Sequence, residues 1–121
     1  MYRLQHQLLG FDVAVLSGRG EVAGVVVHPE EGEECGPGTI AVLPSARPGY
    51  EPAVRTAAAV IVPTGGELCH LAVVAREGGR KIVRVPRCRE LYPVGTRVRV
   101  SCDEGRIEIT ERNVRGMFGP L

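Results

Sequence analysis

The chain has 121 residues, one domain's worth: enough for a hydrophobic core but too few for several catalytic modules. It is 44% hydrophobic and 24% charged with a net charge of +1, a globular composition with no excess of cations to grip nucleic acid. No window approaches the roughly 18 apolar residues of a membrane span, and "MYRLQHQLLGFDV" lacks the pattern of a secretory signal.

In chain order, "DVAVL" (12–16), "VAGVVVH" (22–28) and "GTIAVL" (38–43) predict three strands, each short, rich in Val and Ile, and bounded by Gly or Pro. "YEPAVRTAAA" (50–59) predicts a helix with Pro52 in its first turn. "AAVIV" (58–62) predicts a fourth strand, and "CHLAVVAREGG" (69–79) a second helix closed by a glycine pair. "KIVRV" (81–85), "RVRVS" (97–101) and "RIEIT" (106–110) complete the strands, the last two joined as a hairpin through "SCDEG". The order β-β-β-α-β-α-β-β-β predicts a mixed α/β domain in layers over residues 1–110, followed by an unanchored tail at 111–121.

Cys35, Cys69, Cys88 and Cys102 form no Cys-x-x-Cys pair, and His6, His28 and His70 are scattered among them. The expectation is no metal site and reduced, structural thiols in a cytoplasmic protein. "GRGEVAG" (18–24) is not a G-x-G-x-x-G loop, so its glycines read as turn formers rather than a nucleotide cradle.

"TGGELCHLAVVARE" (64–77) carries the chemistry. The glycine pair follows a strand and opens a helix, where a tight turn exposes backbone N–H groups. A helix start favours an anion and, by the same field, a neutral imidazole with a lone pair able to attack phosphorus. On these residues alone a packed histidine and a nucleophile both remain open.

"GGELCHLAVVARE" resembles the GG-x-[TS]-[CST]-H-x-A-x-x-A-R-E signature of the phosphohistidine, or swivelling, domain of PEP-utilising enzymes. That family includes pyruvate phosphate dikinase, PEP synthase, enzyme I of the sugar phosphotransferase system and rifampin phosphotransferase. The resemblance spans roughly residues 8–110, through "LSGRGEVAGVVV", "GPGTIAVLPSARPGY", "AAAVIVPTGG" and "YPVGTRVRVSCDEGRIEI" in the family's order. It implies a swivelling β/β/α fold and makes His70 the phosphoryl-accepting nucleophile. Gly65 and Gly66 match the phosphate-loop glycines, Thr64 and Cys69 flank the phosphate, and Arg76 and Glu77 match the supporting "ARE".

The resemblance also implies that the domain binds no cofactor of its own, any Mg²⁺ arriving with a partner's substrate. That partner would be an ATP-grasp nucleotide-binding protein or a PEP/pyruvate-binding barrel acting in trans, since neither module is present in these 121 residues. Met1 favours a complete chain. The function implied is a phosphoryl carrier, a phosphotransferase component rather than a complete enzyme. The alternative is a non-catalytic interaction or regulatory module that keeps the fold.

Two positions depart from the family. Leu68 replaces the hydroxyl-bearing residue that is a regulatory phosphorylation site in dikinase-like members, so that control has no acceptor here. Glu67 stands where PEP synthase and enzyme I carry Arg. At the exit of the second helix, Arg80 and Lys81 replace an apolar "giPa" segment and predict a basic, solvated turn. For Arg76, a structural ion pair is the expected role, and for Thr64 a cap of the turn.

Overall fold

The structure is a computed structural model and describes residues 13–111. Seven strands form one mixed sheet: β1 (Ala14–Ser17), β2 (Glu21–Val27), β3 (Thr39–Val42), β4 (Ala59–Val62), β5 (Ile82–Arg84), β6 (Arg97–Ser101) and β7 (Arg106–Glu111). Three short helices accompany them: α1 (Glu51–Thr56), entered through a 3-10 turn at Pro48–Tyr50, α2 (His70–Glu77) and α3 (Cys88–Leu91).

The sheet order is β1-β5-β4-β3-β2-β6-β7. Its centre, β5-β4-β3-β2, is parallel, and β1, β6 and β7 add antiparallel to either end. The innermost strands β3 and β4 are almost wholly buried on both faces, as parallel strands covered on both sides must be. Alternate residues sort between two cores. Ala41, Leu43, Val60, Val62 and Ile82 join Val54, Leu71 and Ala75 of α1 and α2 in one. Ile40, Val42, Ala59, Ile61 and Val83 join Cys88 of α3 and Val98, Val100 and Ile107 of the β6–β7 hairpin in the other.

All seven predicted strands form, and both predicted helices. Three boundaries or elements differ. The first helix stops at Thr56, because the Thr56 hydroxyl bonds back to the Pro52 carbonyl and Arg80 takes the carbonyls of Val54 and Ala57. The three alanines that read as helix therefore turn extended and feed β4. The four-residue α3 is too short to show a period in sequence. Finally, β7 runs through Glu111, so the expected tail lies otherwise outside the described residues.

The glycine pair after α2 does close it. Gly79, at φ +66°, lets the Arg80 N–H reach the Ala75 carbonyl and its own N–H reach that of Arg76, a Schellman cap. Arg80 does not form a solvated basic turn. Its guanidinium is spent on the end of α1, which is a correction to the sequence expectation.

Candidate functional site

Both α1 and α2 are crossover helices between neighbouring parallel strands, β3–α1–β4 and β4–α2–β5. Each therefore starts near the carboxyl end of a strand, where open α/β sheets gather ligand-binding groups. Glu51 opens α1 and His70 opens α2, so one βα unit of chain brings them to the same edge. There His70 Nε2 lies 2.9 Å from Glu51 Oε1.

The other oxygen of that carboxylate, Oε2, accepts from Arg55, one turn further along α1, with both Nε and a terminal nitrogen at 2.8 Å. The hydrogen bonds from His70 and then Arg55 hold the Glu51 carboxyl below its ordinary range. An ionised carboxylate only accepts hydrogen bonds, so Nε2 carries the proton in this contact. In the neutral ring that contact leaves the lone pair on Nδ1. His70 is nevertheless open to solvent, its side chain 49% exposed against 32% for Glu51.

The loop that leads into α2 is tethered by its carbonyls. Arg84 on β5 donates to Gly65 O at 2.9 Å, and Arg76 on α2 donates to Glu67 O at 2.7 Å. In a trans peptide the C=O and the following N–H point in opposite directions. The N–H groups of Gly66 and Leu68 are thereby turned away from Arg84 and Arg76, and neither has a partner among the described residues. At the helix start, the first intrahelical bond runs from Val73 N–H to Cys69 O, and no side chain caps the turn. The N–H groups of His70, Leu71 and Ala72 precede that bond, leaving the partial positive charge of the helix end beside the imidazole.

The two glycines do different work. Gly65 sits at φ +106°, and a Cβ there would stand 3.1 Å from Cys69 Sγ and 3.4 Å from Ala46 Cβ. Gly66 has no positive φ, and a Cβ on it would meet nothing within 4 Å. Thr64 is exposed and its hydroxyl caps nothing. Cys69 packs its side chain against the first core and gives its N–H to Gly66 O.

Arg76 makes carbonyl hydrogen bonds, to Glu67 and more weakly to Leu16 at 3.5 Å, in place of the expected ion pair. Glu77 is exposed at the far end of α2, about 10 Å along the axis from His70 at 1.5 Å per residue. It shares the histidine's face without reaching it. Glu67 is exposed, and Leu68 is 90% exposed.

Sequence reasoning missed Glu51, Arg55 and Arg84. Glu51 at the first position of a helix reads as ordinary dipole complementation, and only the strand order reveals its neighbour. Among the described residues no three of His, Cys, Asp and Glu cluster to hold a metal ion, and no helix is long and apolar enough to cross a membrane.

The model of the PEP-utilising enzyme mobile domain matches residues 35–105, more than half the chain and including both the loop and His70. The chain belongs to this family. Within it, the chain is 35% identical over 103 residues to phosphoenolpyruvate synthase of Helicobacter pylori, covering 84% of this chain and 12% of that protein. It is 34% identical over 89 residues to the Neisseria meningitidis synthase, covering 73% and 11%. An uncharacterized protein of Mycobacterium tuberculosis matches at 36% over 100 residues, covering 82% and 12%. The mobile-domain chain thus spans about an eighth of the length of the curated relatives it matches.

Among solved structures, Thermococcus kodakaraensis aconitase X aligns with a TM-score of 0.60 at 20% identity, over 84% of this chain and 98% of that one. A UPF0107 protein solved by NMR aligns at 0.56 and 19%, over 83% and 98%. At such identities these neighbours speak for the α/β fold alone.

Proposed function

We propose that the domain is a phosphoryl carrier, with His70 as the group that accepts and passes on phosphate. The observation that carries this reading is an exposed imidazole at an uncapped helix start, beside a loop in which the carbonyls of Gly65 and Glu67 are tethered and the N–H groups of Gly66 and Leu68 have no partner among the described residues. A ring nitrogen lone pair attacks phosphorus, and the resulting N-phosphoryl group lies against the N–H groups of the helix start and of Gly66.

The donor is a nucleoside triphosphate or phosphoenolpyruvate bound by an ATP-grasp or PEP/pyruvate-barrel partner supplied in trans. Mg²⁺ comes with that partner's substrate. The domain acts as a swivelling body between donor and acceptor sites in the cytoplasm. Membership of the mobile-domain family and the matches to phosphoenolpyruvate synthases support this reading.

One observation favours a second reading, a non-catalytic docking module: Leu68, two residues before His70, presents an apolar side chain 90% exposed. Labelling separates the two. With the cognate partner and labelled PEP or ATP, the carrier gains about one phosphate per chain on His70, in a linkage labile to acid and stable to alkali. His70→Ala abolishes the label, whereas His6→Ala and His28→Ala retain it. A partner that binds the domain tightly yet never labels it would establish the docking module instead.

A further inference from the structure

The Glu51 carboxylate stands against the Nε2 edge of the imidazole, with an arginine on its other oxygen. Oε1 lies 2.9 Å from His70 Nε2, and Arg55 grips Oε2 through two nitrogens at 2.8 Å. An anionic oxygen at that distance from Nε2 occupies the place that the oxygens of a phosphoryl group bonded to Nε2 would take. Both anions cannot be there together. The carboxylate is therefore a built-in occupant of the phosphoryl position, already supplied with a counter-cation.

Resting on the carrier reading, we propose that Glu51 is a latch on Nε2 of His70, that phosphorylation at Nε2 displaces it, and that Arg55 then becomes the cation that holds the phosphoryl group. Arg55 suits this role. It lies four residues from Glu51 on α1, so its guanidinium stays on the same helix face when the carboxylate swings away. A planar guanidinium also matches a phosphoryl group in two-point geometry. Its present partner is the carboxylate that leaves.

With Glu51 withdrawn, exchange with water moves the ring proton to Nδ1 and leaves the lone pair on Nε2. That pair forms the N–P bond while the P–O bond of a phosphoanhydride or enol phosphate donor breaks. The leaving group departs with the bonding electrons, and the ring keeps its Nδ1 proton. The displaced carboxylate and the new phosphoryl group then compete for Arg55, and the phosphoryl group carries the greater charge.

A small chemical donor tests this without any partner protein. The full chain is treated with phosphoramidate, the position of the phosphate on His70 is read by NMR, and its rates of formation and release are followed. Glu51→Gln, which removes the charge and keeps the shape, gains phosphate about two- to fivefold faster than wild type, the range that exposed ion pairs support. Arg55→Gln loses phosphate faster by a similar factor, Arg55→Lys recovers part of the lifetime, and high salt narrows the difference. Phosphate on Nδ1 in the wild type, an unchanged lifetime in Arg55→Gln, or no faster gain in Glu51→Gln would each overturn the proposal. Latch behaviour with phosphoramidate alongside no labelling from any partner would instead count against the carrier reading.

Discussion

Arg80, just past the end of α2, donates its guanidinium to the carbonyl of Ala57, just past the end of α1. It also reaches Val54 O at 3.3 Å, so one side chain satisfies carbonyls that the end of α1 leaves without intrahelical partners. The two helices that begin at Glu51 and His70 are thus fastened at their other ends. Geometry at the site inherits that rigidity. In Arg80→Ala both carbonyls lose their partner, at a cost of about 1–3 kcal/mol in urea unfolding. Arg80→Lys, with a single point charge in place of a fork, recovers only part of it.

The glycine pair is predicted to divide its labour. Gly65→Ala forces a side chain to φ +106° and within 3.1 Å of Cys69 Sγ, so it destabilises by about 1–3 kcal/mol. Gly66→Ala places its Cβ in open space and stays within about 0.5 kcal/mol of wild type. Thermal or urea unfolding of the two variants checks the order. Equal losses would mean that the loop adopts another conformation in solution.

Loop tethering by Arg84 gives a local readout. The Cys69 N–H, bonded to Gly66 O at 3.1 Å, is the amide that reports on loop opening. Arg84→Gln removes the tether on Gly65 O. Exchange of the Cys69 amide then accelerates by about tenfold, as expected for losing a hydrogen bond from a charged donor, while the amides of β3 and β4 keep their protection. Faster exchange throughout the sheet would mean that Arg84 stabilises the whole fold rather than the loop.

Much of this was legible in the residues, and the division follows from range. Strands announced themselves through Val and Ile runs between Gly and Pro, and the β4 run "AAVIV" is fully buried from Ala59 to Val62 because parallel neighbours and helices cover it. The second helix was placed to within one residue at its start, because its glycine loop and Schellman glycine mark both ends locally. Nothing local linked Glu51 to His70, 19 residues apart and separated by a whole strand. Their meeting depends on β3 and β4 being adjacent and parallel, a fact of topology. The arginines were misread for a related reason. In sequence Arg76 reads as an ion-pair partner and Arg80 as a solvated cation, yet both donate to backbone carbonyls, Arg76 to Glu67 and Leu16 and Arg80 to Val54 and Ala57.

Cys88 carries the last prediction. The thiol opens α3 beneath the second core, fully buried, with Sγ directed at the carbonyls of Leu43 and Ile61. Burial pushes its pKa up from 9.0 to about 11. A group whose pKa is raised on folding leaves stability untouched below its unfolded value. Between pH 9 and 11 the unfolded chain releases this proton and the folded chain keeps it, so stability falls as pH rises. Cys88→Ala has no such proton to lose. Its stability relative to wild type should therefore be poorest at pH 8, where the loss of the packed sulfur dominates, and should improve steadily toward pH 11. Urea unfolding of both proteins across that range, compared as differences so that other groups cancel, tests the sign. A constant difference would mean that the thiolate forms in the folded domain as readily as in the unfolded chain.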